Sequence, residues 1–167
     1  MDGTQTYTAI PVKETSNTII TKHTAESMAA ATVPLPLLDI AALSAIHVAM
    51  VKNLCELYDV DFNREKTKAL TSSLLFAAGG AIAGNTGANT VQMVPVIGMV
   101  LGAGSKVLTA GATTYMLGTI IEEHLRNEGS LEDLNLSWAK EQAKNTIESG
   151  TKAAGNILAG LKRGITD

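Results

Sequence analysis

Residues 69–121 read ALTSSLLFAAGGAIAGNTGANTVQMVPVIGMVLGAGSKVLTAGATTYMLGTII, and Lys106 is the only charged side chain between Lys68 and Glu122. No other part of the chain shifts composition so sharply. An uncharged run of this length raises the question of a membrane. Its punctuation argues against simple spans. Residues 85–90, Asn-Thr-Gly-Ala-Asn-Thr, form a turn by composition, and Ser105-Lys106 cuts the stretch a second time. The remaining pieces are roughly fifteen residues long. At ~1.5 Å rise per residue, each covers about 22 Å, while a bilayer core needs ~30 Å. They are rich in Gly, Ala, Ser and Thr rather than Leu and Ile, so transfer into lipid is only modestly favourable. A longer span from Leu70 to Asn89 could reach across only by burying several polar side chains. Three readings fit: a buried helical hairpin, a shallow or re-entrant membrane insertion, or an oligomer interface.

Glycine spacing carries a second signal. Gly80 and Gly84, Gly98 and Gly102, and Gly160 and Gly164 each stand four apart. That spacing clears one helix face and lets another backbone approach. Ala77, Ala81, Ala103 and Ala110 extend the small-residue faces, which predicts close helix packing within or between chains.

Outward from this stretch the chain reads as helices. Residues 1–16 are polar and threonine-rich and are expected to form a tail ahead of the bundle, with short strands at Val12 and at Ile19-Ile20 around a turn at residues 14–17 as the alternative. From Asn17, with Ser16 as N-cap, Ile19, Ile20, His23, Ser27, Ala30 and Ala31 share one face. Pro34 and Pro36 end that helix. A second helix is expected from about Leu37 to Tyr58, with Asp39 in its first turn, where a carboxylate meets the positive end of the helix dipole. Its apolar stripe is Ile40, Leu43, Ile46, His47, Met50, Leu54 and Leu57. A third helix is expected over Phe62–Gly84, starting near Asp61. Residues 91–94 make one short helical turn before Pro95. A long helix runs from Gly98 to Asn127, with Gly129 as its stop. Ser130 and Asp133 have capping-box spacing for a last helix from Leu131 to about Leu161. Its stripe is Ile147, Ala154, Leu158, Leu161 and Ile165, and Gly150, Gly155 and Gly160 interrupt an otherwise continuous rod. The fold class is therefore all-α, a bundle of about five helices. It has a central glycine- and alanine-rich apolar hairpin and an amphipathic C-terminal helix over 129–167.

Composition excludes several functions. A chain of 167 residues is one domain, with 46% of residues apolar, so a core is available and general disorder is not expected. Thirteen basic against sixteen acidic residues, with 4% aromatics, argue against a nucleic-acid surface. One cysteine, Cys55, excludes an internal disulfide and a cysteine-rich zinc site. No basic start followed by an apolar run marks a secretory signal, and with the free thiol this points to the cytoplasm.

Single residues offer little chemistry. His47 lies on an apolar stripe with no second ligand at metal spacing, so it reads as a core histidine with a hydrogen-bond partner. Cys55 reads as a small buried hydrophobe. Glu122-Glu123-His124 is a solvated helix end. Met93, Met99 and Met116 read as gap-filling core. Trp138 suits a membrane interface or a subunit contact, or anchors the last helix. Gly102-Ala103-Gly104-Ser105-Lys106 superficially looks like a phosphate loop, but its spacing is wrong and no strand pattern precedes it. No cofactor or metal is expected, and the chain does not read as an enzyme.

One block carries a family pattern. It comprises Pro34-Leu35-Pro36-Leu37-Leu38-Asp39, then His47, Met50, Leu54 and Tyr58, and later Thr113-Thr114-Tyr115-Met116-Leu117-Gly118. The order Pro-x-Pro-x-x-Asp, a methionine eleven residues on, a tyrosine, a glycine-rich hairpin and Thr-Tyr-x-x-Gly resembles the bacterial family of domain of unknown function 697. The resemblance covers residues 17–128. It implies an all-helical module often attached to, or encoded beside, a small GTPase domain, with some members in the inner membrane. It brings no catalytic residues. The position of His47 is more usually glutamine in that family. This chain has no phosphate loop of its own, so the resemblance implies a GTPase in trans. The expected place is the bacterial cytoplasm or the cytoplasmic face of the inner membrane. The expected partners are a second copy of the chain, lipid and that GTPase. The alternative is a soluble homo-oligomer that buries the hairpin between subunits. Pro34, Pro36, Asp39, His47, Met50, Gly80, Gly84, Gly98, Gly102, Tyr115, Gly118 and Trp138 are the residues expected to carry structure and interaction.

Overall fold

The computed structural model describes residues 15–33, 36–84 and 103–164, and these form five helices with no strand among them. The first, α1 (Ser16–Ala30), starts one residue earlier than expected. Thr15, not Ser16, caps it: the Thr15 backbone is extended and its hydroxyl accepts the Thr18 N–H at 3.2 Å. Ile19, Ile20, His23, Thr24, Ser27 and Met28 are buried. Their spacing gives the helix a single inward stripe.

The second helix, α2 (Pro36–Leu57), begins on a proline. Pro36 therefore opens a helix instead of ending one, because its missing N–H costs nothing at the first helical position. Pro34 lies outside the described residues, and α1 has already ended at Ala30. Asp59 adopts φ 55° and the Val60 N–H returns to the Cys55 carbonyl at 2.9 Å, which closes α2 with a left-handed turn. The third helix, α3 (Arg64–Gly84), starts after Asn63, whose side chain accepts the Lys66 N–H at 2.9 Å. Asn63 thus takes the capping role expected near Asp61.

The fourth helix, α4 (Ala103–Arg126), ends in a comparable turn. Glu128, at φ 62°, is the left-handed residue, and the Gly129 N–H bonds the His124 carbonyl at 3.2 Å. Gly129 is glycine for a different reason from the one expected. A Cβ there would run into the His124 ring and carbonyl. The fifth helix, α5 (Leu136–Arg163), starts five residues later than expected. Asn135 caps it by accepting the Ser137 and Trp138 N–H groups, both at 3.0 Å. Ser130 and Asp133 do form a capping pair, with the Ser130 N–H on Asp133 at 2.7 Å, but it closes a separate turn ahead of the helix. The short turn expected at 91–94 and the hairpin turn at 85–90 lie outside the described residues, as do Gly98 and Gly102.

Contacts between helices fix an up-and-down order. At one end, Glu122 of α4 accepts the Tyr58 hydroxyl at 2.7 Å and the Ser16 hydroxyl at 3.4 Å, and Lys66 pairs with Glu132 at 2.9 Å. One level in, Ile20 and Met50 pack over Gly118, where a Cβ would lie 2.9 Å from the Ile20 side chain. Further along, His47 and Ser27 meet Thr114. Beyond them Met28 and Ala154 close on Gly111, and Gly150 seats on the Ala112 carbonyl. At the far end, Lys106 reaches the Val33 carbonyl at 3.4 Å. Among the described residues α4 has its largest contact with α5, and α3 lies mainly against α5. The core runs through Met50, Leu54, Leu74, Met116, Leu117, Ile120 and Ile121, all almost fully buried.

Candidate functional site

The fold brings together two polar groupings, one buried and one at the surface. The buried layer crosses the middle of α1, α2 and α4. His47 Nε2 lies 2.9 Å from the Thr114 hydroxyl, which also lies 2.8 Å from the Ser27 hydroxyl and 2.8 Å from the Ala110 carbonyl. The Thr114 hydroxyl donates, sharing its proton between the Ser27 hydroxyl and the Ala110 carbonyl, and accepts from His47 Nε2–H, so all three side chains are satisfied. Burial first, and the neighbouring His23 second, push the His47 imidazole down to about 4. At neutral pH His47 is therefore uncharged and acts as a hydrogen-bonding core residue.

His23 continues the layer toward the surface. Its Nδ1 lies 2.7 Å from Glu26, and the Asn53 amide donates to its Nε2 at 3.1 Å. The acceptor role of Nε2 puts the neutral ring's proton on Nδ1, facing the Glu26 carboxylate. No buried side-chain nitrogen or oxygen among the described residues lacks a partner. This completeness is what an apolar bundle requires of polar groups in its centre.

The surface grouping is a cleft of about 280 Å³ lined by Glu123, His124, Asn127, Asp133, Asn135 and Trp138. His124 Nε2 lies 2.8 Å from the Ser130 carbonyl and 2.9 Å from Asp133. Both neighbours are acceptors, so Nε2 carries the proton. The Ser130 N–H, and then the His124 ring, hold the Asp133 carboxyl below its usual range. The Trp138 ring tilts against His124 at 6.2 Å. The lining has no hydroxyl, thiol or amine to act as a nucleophile, and the His124 proton is committed to the turn. Among the described residues no group of three metal-ligating side chains comes together.

The singled-out residues fall in different places. Met50 and Gly118 meet in the core, and His47 joins them one turn away. Tyr115 is half-buried against the same core. Trp138 anchors the start of α5 beside His124. Asp39 lies in the first turn of α2, and Gly80 and Gly84 in the last turns of α3. A Cβ added at Gly160 would meet nothing within 4 Å, and Gly164 caps α5.

Sequence reasoning quoted Thr114 in the family block without giving it a role, and passed over Gly111 and the close-approach role of Gly150. The signal was present in α4. Gly111, Thr114 and Gly118 recur at helical spacing and give α4 a narrow face on which α1 and α2 seat. On α5, Ala139, Ala143, Gly150 and Ala154 form a comparable small-residue line and are the buried residues. The larger residues of the expected stripe flank that line. Ile147 and Leu158 are half-buried, Leu161 is 49% exposed, and Ile165 lies outside the described residues. Burial of Cys55, and then the Glu56 charge, push its thiol up to about 11, which leaves it inert.

These features define an all-α up-and-down bundle whose helices touch through small residues and whose centre holds a satisfied polar layer. The chain belongs to the family described as Domain of unknown function (DUF697), whose model matches residues 3–152. That span is wider than the residues 17–128 that carry the resemblance. The chain is also similar to a protein of Magnetospirillum gryphiswaldense named Magnetosome membrane protein 22. The two are 32% identical over 145 residues, 84% of this chain and 73% of the relative. No solved structure matches the chain. Among the described residues no helix is long and apolar enough to cross a membrane.

Proposed function

We propose that this protein is a non-catalytic, membrane-associated helical module that self-associates and works with a small GTPase supplied by another chain. The observation that carries the membrane part is the uneven distribution of charge along the bundle. From Ala69 to Ile121 the chain holds only Lys106, while the linkers after α2 and α4 hold Asp59, Asp61, Glu128, Glu132 and Asp133. The relative named as a membrane protein supports the same reading. Self-association is supported by the small-residue face of α2, where Ala41, Ala45 and Ala49 are exposed at four-residue spacing. The GTPase rests on the family resemblance alone. No catalytic constellation is assigned.

Fractionation of expressed protein tests the membrane part. Recovery with membranes is expected, and an alkaline carbonate wash then separates inserted protein from surface-held protein. Quantitative recovery in the soluble fraction without detergent overturns it. Light scattering on soluble material tests the second reading, a soluble homo-oligomer whose apolar hairpin is a subunit interface. Phe76, 59% exposed on α3, favours that reading. A stable monomer excludes it. Copurification with a GTPase loaded with a non-hydrolysable analogue tests the last part, and failure to copurify in either nucleotide state removes it.

A further inference from the structure

The cleft between the end of α4 and the start of α5 has a lining that the bundle itself only partly engages. Glu123 and Asn127 stand four apart and share one face of the last turns of α4. Asp133 enters from the turn, Asn135 from the cap of α5 and Trp138 from its first turn. His124 stands beside the indole, with the two rings inclined at 44°. The start of α1 is held on another flank of α4, by Ser16 on Glu122, and leaves this side open.

The charges of the cleft are unevenly compensated. Asp133 Oδ1 accepts the Ser130 N–H at 2.7 Å, the Ser130 hydroxyl at 3.2 Å and the His124 Nε2–H at 2.9 Å, and the side chain is 63% exposed. The Ser130 N–H, and then His124, favour the ionised carboxylate, and Asp133 Oδ2 has no bond to a described residue. Glu123 is half-buried and forms no ion pair or hydrogen bond with any described residue. Neither does the Asn127 side chain or the Trp138 indole N–H. Nearby cations are held elsewhere: Arg126 lies 3.8 Å from Glu122, and Lys66 lies 2.9 Å from Glu132. Lys140, two residues past Trp138, pairs with neither lining carboxylate. An indole wall beside two carboxylates, one of them without a partner, attracts a cation and repels an anion. No set of three metal-ligating side chains comes together among the described residues, so the cation is organic. A guanidinium matches best. It stacks flat on an indole and turns five N–H donors, and no acceptor, toward the oxygens of Glu123, Asp133 and Asn127. An ammonium is a point charge and cannot stack while pairing in a fork. At about 280 Å³ the cleft is smaller than the ~300–1,000 Å³ of small-molecule sites, and it takes one side chain rather than a whole molecule.

We propose that the cleft of Glu123, Asp133 and Trp138 seats an arginine side chain presented by a partner protein. The site lies wholly within described residues and does not depend on the membrane reading.

Trp138 is the only tryptophan, so its fluorescence reports directly on the cleft. The probe is N-acetyl-arginine methylamide, titrated into the full chain at constant ionic strength. A saturable change in Trp138 emission is expected, with a midpoint on the order of 10 mM for one stacked and paired side chain. The matching lysine compound should bind several-fold more weakly. The citrulline compound, which keeps the shape and loses the charge, should give no saturable change. Glu123→Gln alters a side chain without a described partner, so helical circular dichroism should be unchanged while probe binding weakens about threefold. Glu148→Gln, further along α5, should leave binding as it was. Free L-arginine carries a carboxylate that the cleft repels and should bind no tighter than the blocked form. No saturable change with the arginine probe overturns the site. An equal response to citrulline overturns recognition by charge, and unchanged binding in Glu123→Gln overturns the placement. Tighter binding of free L-arginine overturns the partner protein as the source and marks a metabolite site instead.

Discussion

Three glycines on α5 provide a matched experiment. Gly150 sits against α4, and a Cβ there would collide with the Ala112 carbonyl oxygen and lie 3.2 Å from its carbon. Gly155 and Gly160 face open space. Replacing any of them with alanine gains about 1 kcal/mol of helix propensity. For Gly155→Ala nothing opposes that gain, which corresponds to a melting shift of roughly 2–4 °C upward for a chain of this size. For Gly150→Ala the obstacle is helix backbone, which cannot swing aside as a side chain can. α5 must move away from α4 along the line from Ala139 to Ala154. Overpacking of this kind costs ~1–3 kcal/mol. Propensity cancels between the two variants, so their difference isolates the cost of the close approach. A central value of about 2 kcal/mol separates the melting points by roughly 4–8 °C, with Gly150→Ala the lower. Helical circular dichroism at 222 nm, followed through heat and urea, measures it. If Gly150→Ala melts at or above Gly155→Ala, the seating of α5 on α4 through Gly150 is wrong.

The core and the caps give four further expected outcomes. The unfolded chain binds the His47 proton near pH 6.5 and the folded chain only near 4, so the unfolded state holds more protons between these values. Stability from this group is complete above pH 6.5 and is lost as pH falls toward 4, by about 3 kcal/mol. His47→Gln, which keeps a hydrogen-bonding group beside Thr114, should flatten the urea midpoint across that window. Thr114→Val keeps shape but strips the partner from His47 and Ser27, and should cost about 1–3 kcal/mol in urea titrations at pH 7.5. Cys55 should resist iodoacetamide in the folded chain at pH 8 and react at once in denaturant; fast native labelling would contradict its burial. Asn135→Ala should cost about 1 kcal/mol by removing the acceptor for two α5 amides, read by the same unfolding assay.

Much of the architecture was legible because it depends on periodicity. The stripe of α1 and the inward positions of α2, with His47, Met50 and Leu54, follow from three-and-four spacing. Helix ends were less legible. Thr15, Asn63 and Asn135 each took a capping role near another residue able to cap, and local spacing does not choose between such neighbours. Gly129 shows the limit well. The sequence allows a glycine stop, but the left-handed residue is Glu128, and Gly129 is required by the His124 ring across the turn. The buried polar layer was half legible. His47 reads as a core histidine, but its partner Thr114 lies 67 residues away, and no local pattern pairs them. The expected face of α5 held at Ile147 and Ala154 but extended too far toward Leu158 and Leu161, which apolar size suggested. Beside Ala154, close approach to α4 also selected Ala139, Ala143 and Gly150.

The polar layer and the small-residue seats answer the same physical problem. A bundle with few aromatic side chains has contact surfaces of low relief. Alanine and glycine lines allow close approach but offer little to stop one helix sliding past another by a turn, ~5.4 Å. Large interlocking side chains usually hold the register. Here the three-way meeting of His47, Thr114 and Ser27 supplies much of that constraint. A one-turn slip of α4 would carry Thr114 out of reach of both partners and leave buried groups unpaired at about 1–3 kcal/mol each. Gly118 under Ile20 and Met50, and Gly111 under Met28, reinforce the same register sterically, because only a glycine fits at each seat. Fixed register in turn sets which side chains are left outside. With α1, α2 and α4 locked, and α5 seated by Gly150, Val33 and Leu161 are left exposed at the end of the bundle opposite Glu122 and Trp138.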